Sequence, residues 1–143
     1  MSKYIIHDNK MAMDKKILCV NEYSGDCFIT PFSLLHAISG AYMFVLLSWL
    51  NVNDVNNFII VNFIHLLYEI KDYLFTYYFK TSENHNSIFN SIGDQISCNI
   101  GIIIWLLLRP VKLTNQLMTI LSIVYFIILI WFWYVGYYKD IIG

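Results

Sequence analysis

Charge is scarce in this chain. Asp, Glu, Lys and Arg make up 13% of its 143 residues, about half the share of an ordinary soluble domain. The 9 basic and 10 acidic residues leave a formal net charge of −1 and form no basic block, so nucleic acid is not expected as a partner. Cysteine is scarce as well: Cys19, Cys27 and Cys98 are odd in number and show no CxxC spacing, so no disulfide framework is indicated. There is no Asn-x-Ser/Thr sequon to mark a lumenal loop. Residues 1–30 hold four lysines and four acids and lack the apolar core and small-residue cleavage site of a secretory signal. Also missing are a G-x-S-x-G elbow, a phosphate-binding loop, H-E-x-x-H and the closely spaced histidines of a di-iron membrane oxidase, which removes the chemistries those motifs support.

Apolar and aromatic residues are abundant instead. The chain is 58% hydrophobic, with 11 Tyr, 10 Phe and 4 Trp, and its mean hydropathy is +0.57. A chain of this size cannot hide that much apolar surface within itself. Lipid is therefore the expected solvent, and a disordered tail, a collagen or a coiled coil is excluded.

The apolar runs fall at about 31–50, 55–79, 87–109 and 117–138, after a mixed polar tail over 1–30. Within that tail, the apolar patch at 17–20 is open to a strand, a frayed helix or an interfacial contact. Thr30-Pro31 reads as a helix start, because proline is tolerated at the first helical position and threonine accepts from orphan amides. The uncharged run at 31–50 gives about 30 Å of helix, the thickness of a hydrocarbon core. Arg109-Pro110 ends the third run, since the residue before proline is driven away from helix. Trp131, Trp133, Tyr134, Tyr137 and Tyr138 suit an aromatic belt at headgroup level. The fold class expected is all-α: a polytopic membrane protein built as a four-helix transmembrane bundle, up and down, with short loops. Lys3, Lys10, Lys15, Lys16, Lys71, Lys80 and Lys139 fall on one side of it and only Arg109 and Lys112 on the other, which predicts both termini in the cytosol.

Polar residues inside the spans lie on stripes. At about 100° per residue, Asn62, His65, Glu69, Asp72 and Thr76 share one face of the second span, with Lys71 opposite. Ser87, Asn90, Ser91, Asp94, Ser97, Cys98 and Gly101 share a face of the third, and Ser33, His36, Gly40 and Met43 a face of the first, with Ser39 at its margin. A rise of about 1.5 Å per residue puts His36, Asp72, Glu69 and Asp94 within roughly 8–15 Å of the cytosolic end. Ionisable groups at that depth are costly and face a bundle interior. One histidine and three carboxyls at one level are what an intramembrane acid-base site needs, and equally what a structural polar network needs. Oxygen-rich ligands of this kind also suit a divalent cation, although the spacing requires none and singles out no metal-ligand set. Asn90, Ser91, Gly93 and Gly101 also permit close helix contact.

The ordered pattern Ser33-Leu-Leu-His36-Ala-Ile-Ser-Gly40, then Leu67-Tyr-Glu69-Ile-Lys-Asp72, then Ser91-Ile-Gly-Asp94 leading to Gly101 resembles the VanZ-like families of the Lipocone superfamily. Those are compact four-helix membrane proteins with a histidine on the first helix, Glu-x-x-Gln on the second and a Ser-x-x-Asp, Asn, Gly signature on the third. The likeness covers about residues 31–105. His36, Glu69, Ser91, Asp94 and Gly101 match by position, and Asp72 stands where the family has glutamine. The family's Asp/Lys before the histidine and its arginine before the third helix are absent, and Cys98 replaces its asparagine. Asn99 comes one step late and points about 140° from Asp94.

The resemblance implies an enzyme of lipid metabolism that hydrolyses or exchanges a phosphate-linked lipid or polyprenyl headgroup. His36 would be its base or nucleophile, Glu69 and Asp94 would orient and protonate, and Asp72 would tune them or hold a cation. Ser91, His65 and Asn90 would bind substrate. Two other classes use the same residues. A small ion or proton channel or transporter wants the stripe of the second span, and a structural membrane protein needs none of these groups to titrate.

Overall fold

The computed structural model describes residues 16–18, 27–79, 87–109 and 112–141. The rest of the tail, the 80–86 loop with Lys80, and Pro110 lie outside the described residues, as do the side chains of Thr76, Tyr137, Tyr138 and Lys139. Helices α1 (Pro31–Trp49), α2 (Asp54–Phe79), α3 (Ile88–Leu107) and α4 (Asn115–Ile141) follow two three-residue strands, β1 (Lys16–Leu18) and β2 (Cys27–Ile29). The expected four-helix bundle is present. The strands pair in parallel, Lys16 opposite Cys27 and Leu18 opposite Ile29.

Local chemistry sets the helix ends. Thr30 precedes Pro31 in extended conformation, and its N–H donates to Ser33 Oγ at 3.0 Å, satisfying a backbone donor at the cap. At the other end of α1, Asn51 takes φ 63°, a left-handed conformation that asparagine tolerates better than most residues. The Asn51 N–H then donates to Ser48 O and the Val52 N–H to Leu47 O, closing the helix as a Schellman motif. Ser87 caps α3 by accepting from the Asn90 N–H at 3.1 Å.

Glycines let α1 and α3 approach closely. A Cβ at Gly101 would lie 1.8 Å from Ala37 O, and one at Gly40 would lie 2.4 Å from Cys98 O. Both obstacles are backbone, so only glycine fits. β2 sits on the start of α3 in the same way: a Cβ at Gly93 would lie 1.7 Å from Phe28 O. Phe28 and Phe89 pack with ring centroids 4.9 Å apart, and Asn90 Nδ2 donates to Cys27 O at 3.0 Å. Cys27 is disulfide-bonded and Cys98 is a buried free thiol. The sequence suggested no bridge, but an odd count excludes only complete pairing. The small apolar core is Phe44, Val61, Cys98 and Ile102, between α1, α2 and α3. α4 lies along α1, where the Tyr42 and Tyr125 rings stack at 4.1 Å and Tyr42 OH donates to Ser122 Oγ at 2.9 Å.

Among the described residues, two stretches, Pro31–Trp49 and Asn115–Val135, are long and apolar enough to cross a membrane. The sequence reading expected four. Polar residues such as Glu69, Asp72, Asn90 and Asp94 interrupt the hydropathy of α2 and α3. The exposed Asp54 and Arg109 form a bidentate ion pair, and that carboxylate holds the guanidinium above its usual pKa.

Candidate functional site

Three helices bring their polar stripes to one place. His36 on α1 faces His65 on α2, with Nδ1 of the first 2.8 Å from Nε2 of the second and the rings edge to face at 4.9 Å between centroids. Glu69, one helical turn beyond His65, puts Oε1 3.7 Å from His36 Nδ1 and 3.8 Å from His65 Nε2. On the far side of the His36 ring, Nε2 lies 3.6 Å from Asp94 Oδ2 on α3. That separation is within ion-pair range but beyond a direct hydrogen bond. Glu69 and Asp94 are 5% and 3% exposed.

Two further residues hold the carboxylate of Asp94 in place. Ser33 Oγ donates to Asp94 Oδ1 at 2.5 Å while it accepts from the Thr30 N–H. The cap of α1 and the site on α3 are thus joined through one hydroxyl, which couples the entry of the chain into the bundle to the position of a buried acid. Tyr68 covers the cluster from α2, its ring 5.9 Å from that of His36.

The outer face of His65 is fixed by an amide network. His65 Nδ1 lies 2.9 Å from Gln95 Oε1, Gln95 Nε2 donates to Asn62 Oδ1 at 2.6 Å, and Asn62 Nδ2 donates to Phe58 O at 2.9 Å. Asn99 Nδ2 donates to both Asn62 Oδ1 and Gln95 O. Backbone carbonyls only accept, so Phe58 O and Gln95 O fix which way each amide points. It follows that Gln95 presents oxygen to His65, that His65 Nδ1 carries the ring proton, and that Nε2 bears the lone pair.

The residues singled out in the sequence separate into three groups. His36, His65, Glu69 and Asp94 converge. Asp72 pairs instead with Lys71 at 2.6 Å, and Lys71 lies over the Tyr68 ring, 3.9 Å from its centroid. Ser91 is half-buried on the Asp94 face, and the Asn90 amide is committed to Cys27 O. Gln95 was missed, although its spacing was informative: it follows Asp94 by one residue, about 100° round the helix, so Asp94 faces α1 while Gln95 faces α2. His36, His65 and Glu69 are also close enough to chelate one divalent metal ion, with ligand atoms within 4.8 Å of one another. Compared with protein-family models, curated proteins and solved structures, the chain has no significant match.

Proposed function

We propose that this is a multi-pass membrane enzyme that hydrolyses or exchanges a phosphate-linked lipid or polyprenyl headgroup, with His36, Glu69 and Asp94 as its acid-base machinery. The observation that carries this reading is the distribution of polarity. The bundle interior holds an imidazole pair and two carboxyls, while its outer surface displays Leu34, Ile59, Phe63, Ile64, Ile96 and Ile103, among many others. Soluble proteins rarely expose apolar surface on that scale, whereas lipid solvates it without cost. In this reading all four helices span, α2 and α3 turning their polar stripes inward, and both termini share one side.

The chemistry asked of the site is displacement at phosphorus. A water or acceptor hydroxyl attacks, His36 takes its proton at Nε2, and the bond from phosphorus to the leaving oxygen breaks. That oxygen then receives the proton back from His36. Asp94 and Glu69 steady the imidazolium from its two nitrogen sides, which lowers the cost of a transient charge at low dielectric. Asp72, paired with Lys71, lies one layer out, where the pair can meet headgroup charge.

Mass spectrometry of bilayer lipids incubated with the purified protein tests the reading. A new headgroup-stripped or headgroup-exchanged species is expected, falling at least 100-fold in the Glu69→Gln/Asp94→Asn double variant. Equal turnover by that variant, or none by the wild type across phospholipid and polyprenyl phosphate mixtures, contradicts it. A proton-transport reading draws on one further observation, the continuous line Asn62, Gln95, His65, His36 of hydrogen-bonded groups. It requires proton flux into liposomes and no lipid product.

A further inference from the structure

We propose that His36 Nδ1, His65 Nε2 and Glu69 Oε1 form a binding site for one zinc-like divalent cation, with a fourth position left open. The three atoms stand 2.8, 3.7 and 3.8 Å apart. A point equidistant from all three lies about 2.0 Å from each, which is the length of Zn–N and Zn–O bonds. Two imidazoles and one carboxylate form a donor set that zinc accepts, and three protein ligands with an open fourth position are the arrangement of catalytic rather than structural zinc.

The surroundings supply a second and independent reason. A histidine that ligates a metal almost always presents its other ring nitrogen to a carboxylate or carbonyl oxygen. His65 does so here, with Nδ1 facing Gln95 Oε1 at 2.9 Å, and His36 turns Nε2 to the side of the Asp94 carboxylate, 3.6 Å from Oδ2 and within ion-pair range. The amide network settles the His65 tautomer with its Nε2 lone pair turned to His36. His36 then has two arrangements, and neither serves both His65 and Asp94. A proton on Nδ1 leaves the Nε2 lone pair toward Asp94. A proton on Nε2 sets two lone pairs against each other across 2.8 Å. A cation between the rings and Glu69 removes the conflict, because Nδ1 and Nε2 then both ligate and the remaining His36 proton points to the carboxylate.

This site shares His36 and Glu69 with the headgroup reading but does not depend on it. A protein that binds zinc and turns over no lipid keeps this inference and loses that one, whereas metal-free protein that turns over lipid while binding no zinc does the reverse. Full-length protein in detergent, stripped with a chelator, is dialysed against zinc chloride and its metal content is measured, with cobalt as a spectroscopic substitute. One zinc per chain is expected at micromolar zinc, together with the visible absorption of cobalt at low coordination number. His65→Gln and Glu69→Gln should each lose the ion. Gln95→Leu, which removes only the group behind His65, should weaken binding 10- to 100-fold, while circular dichroism shows that the helices persist. No zinc above the level of the His36→Gln/His65→Gln double variant overturns the proposal, as does wild-type affinity in both ligand variants.

Discussion

Single atoms decide much of this structure. Adding one methyl at Gly101 would drive it into Ala37 O, and at Gly93 into Phe28 O; neither obstacle is a side chain that can swing away. Gly101→Ala is expected to cost about 1–3 kcal/mol and to lower the thermal midpoint in detergent, whereas an unchanged melting curve contradicts the close approach of α1 to α3. Asn57, fully buried on α2, donates to Phe44 O at 2.8 Å and to Ser48 Oγ at 2.9 Å. Asn57→Ala leaves the Phe44 carbonyl and the Ser48 hydroxyl only their bonds within α1 and should destabilise by about 1–3 kcal/mol, read from the same melts. At this scale the sequence was legible where a residue type is costly in its surroundings. His36, Glu69 and Asp94 stood out because charge within an apolar run needs a reason. Asn57 and Gln95 did not, since a neutral amide in an Asn-rich chain carries no such signal until a partner is known. The nearness of His36 to His65 depends on how α1 crosses α2, which helical periodicity does not specify.

At the scale of elements, the stripes of α1 and α3 were readable because 3.6-residue periodicity fixes which side chains share a face. The buried positions of α3, Asn90, Gly93, Asp94, Ser97, Cys98, Gly101 and Ile102, follow that stripe closely. What lies opposite a stripe is less readable. Asn90 belongs to it, and its amide donates to Cys27 O and so ties β2 to α3. Asn90→Ala should therefore speed amide hydrogen exchange at Phe28 and Ile29 and leave lipid turnover unchanged. Lost turnover with unchanged exchange would return Asn90 to the substrate. The strands themselves carry only three residues each, too few for a period to register. The Arg109–Asp54 pair is exposed at 48% and 42%, so solvent screens it. Arg109→Ala should leave the thermal midpoint within error of wild type.

For the whole molecule, composition alone pointed to lipid; among the described residues two helices are long and apolar enough to cross a membrane, and many large apolar side chains are exposed. Two features speak to orientation from opposite directions. The lysine excess predicts the start of α1 and the end of α4 in the cytosol, whereas a disulfide at Cys27 forms in an oxidising compartment. With four spans, epitope tags at the two ends are expected to be digested from the same face of intact vesicles, and the face on which protease acts assigns the compartment. Tags cut from opposite faces mean that one helix does not cross. Everything said of function rests on α1, α2 and α3 delivering their polar residues to one pocket. The most direct test is nitrogen NMR on chelator-treated protein labelled with 15N-histidine in bilayers, in which the four histidines give separable ring signals. A coupling through the hydrogen bond between one Nδ1 and one Nε2 is expected, abolished in both His36→Gln and His65→Gln. Four uncoupled rings with the shifts of free imidazole would show that the two histidines never meet.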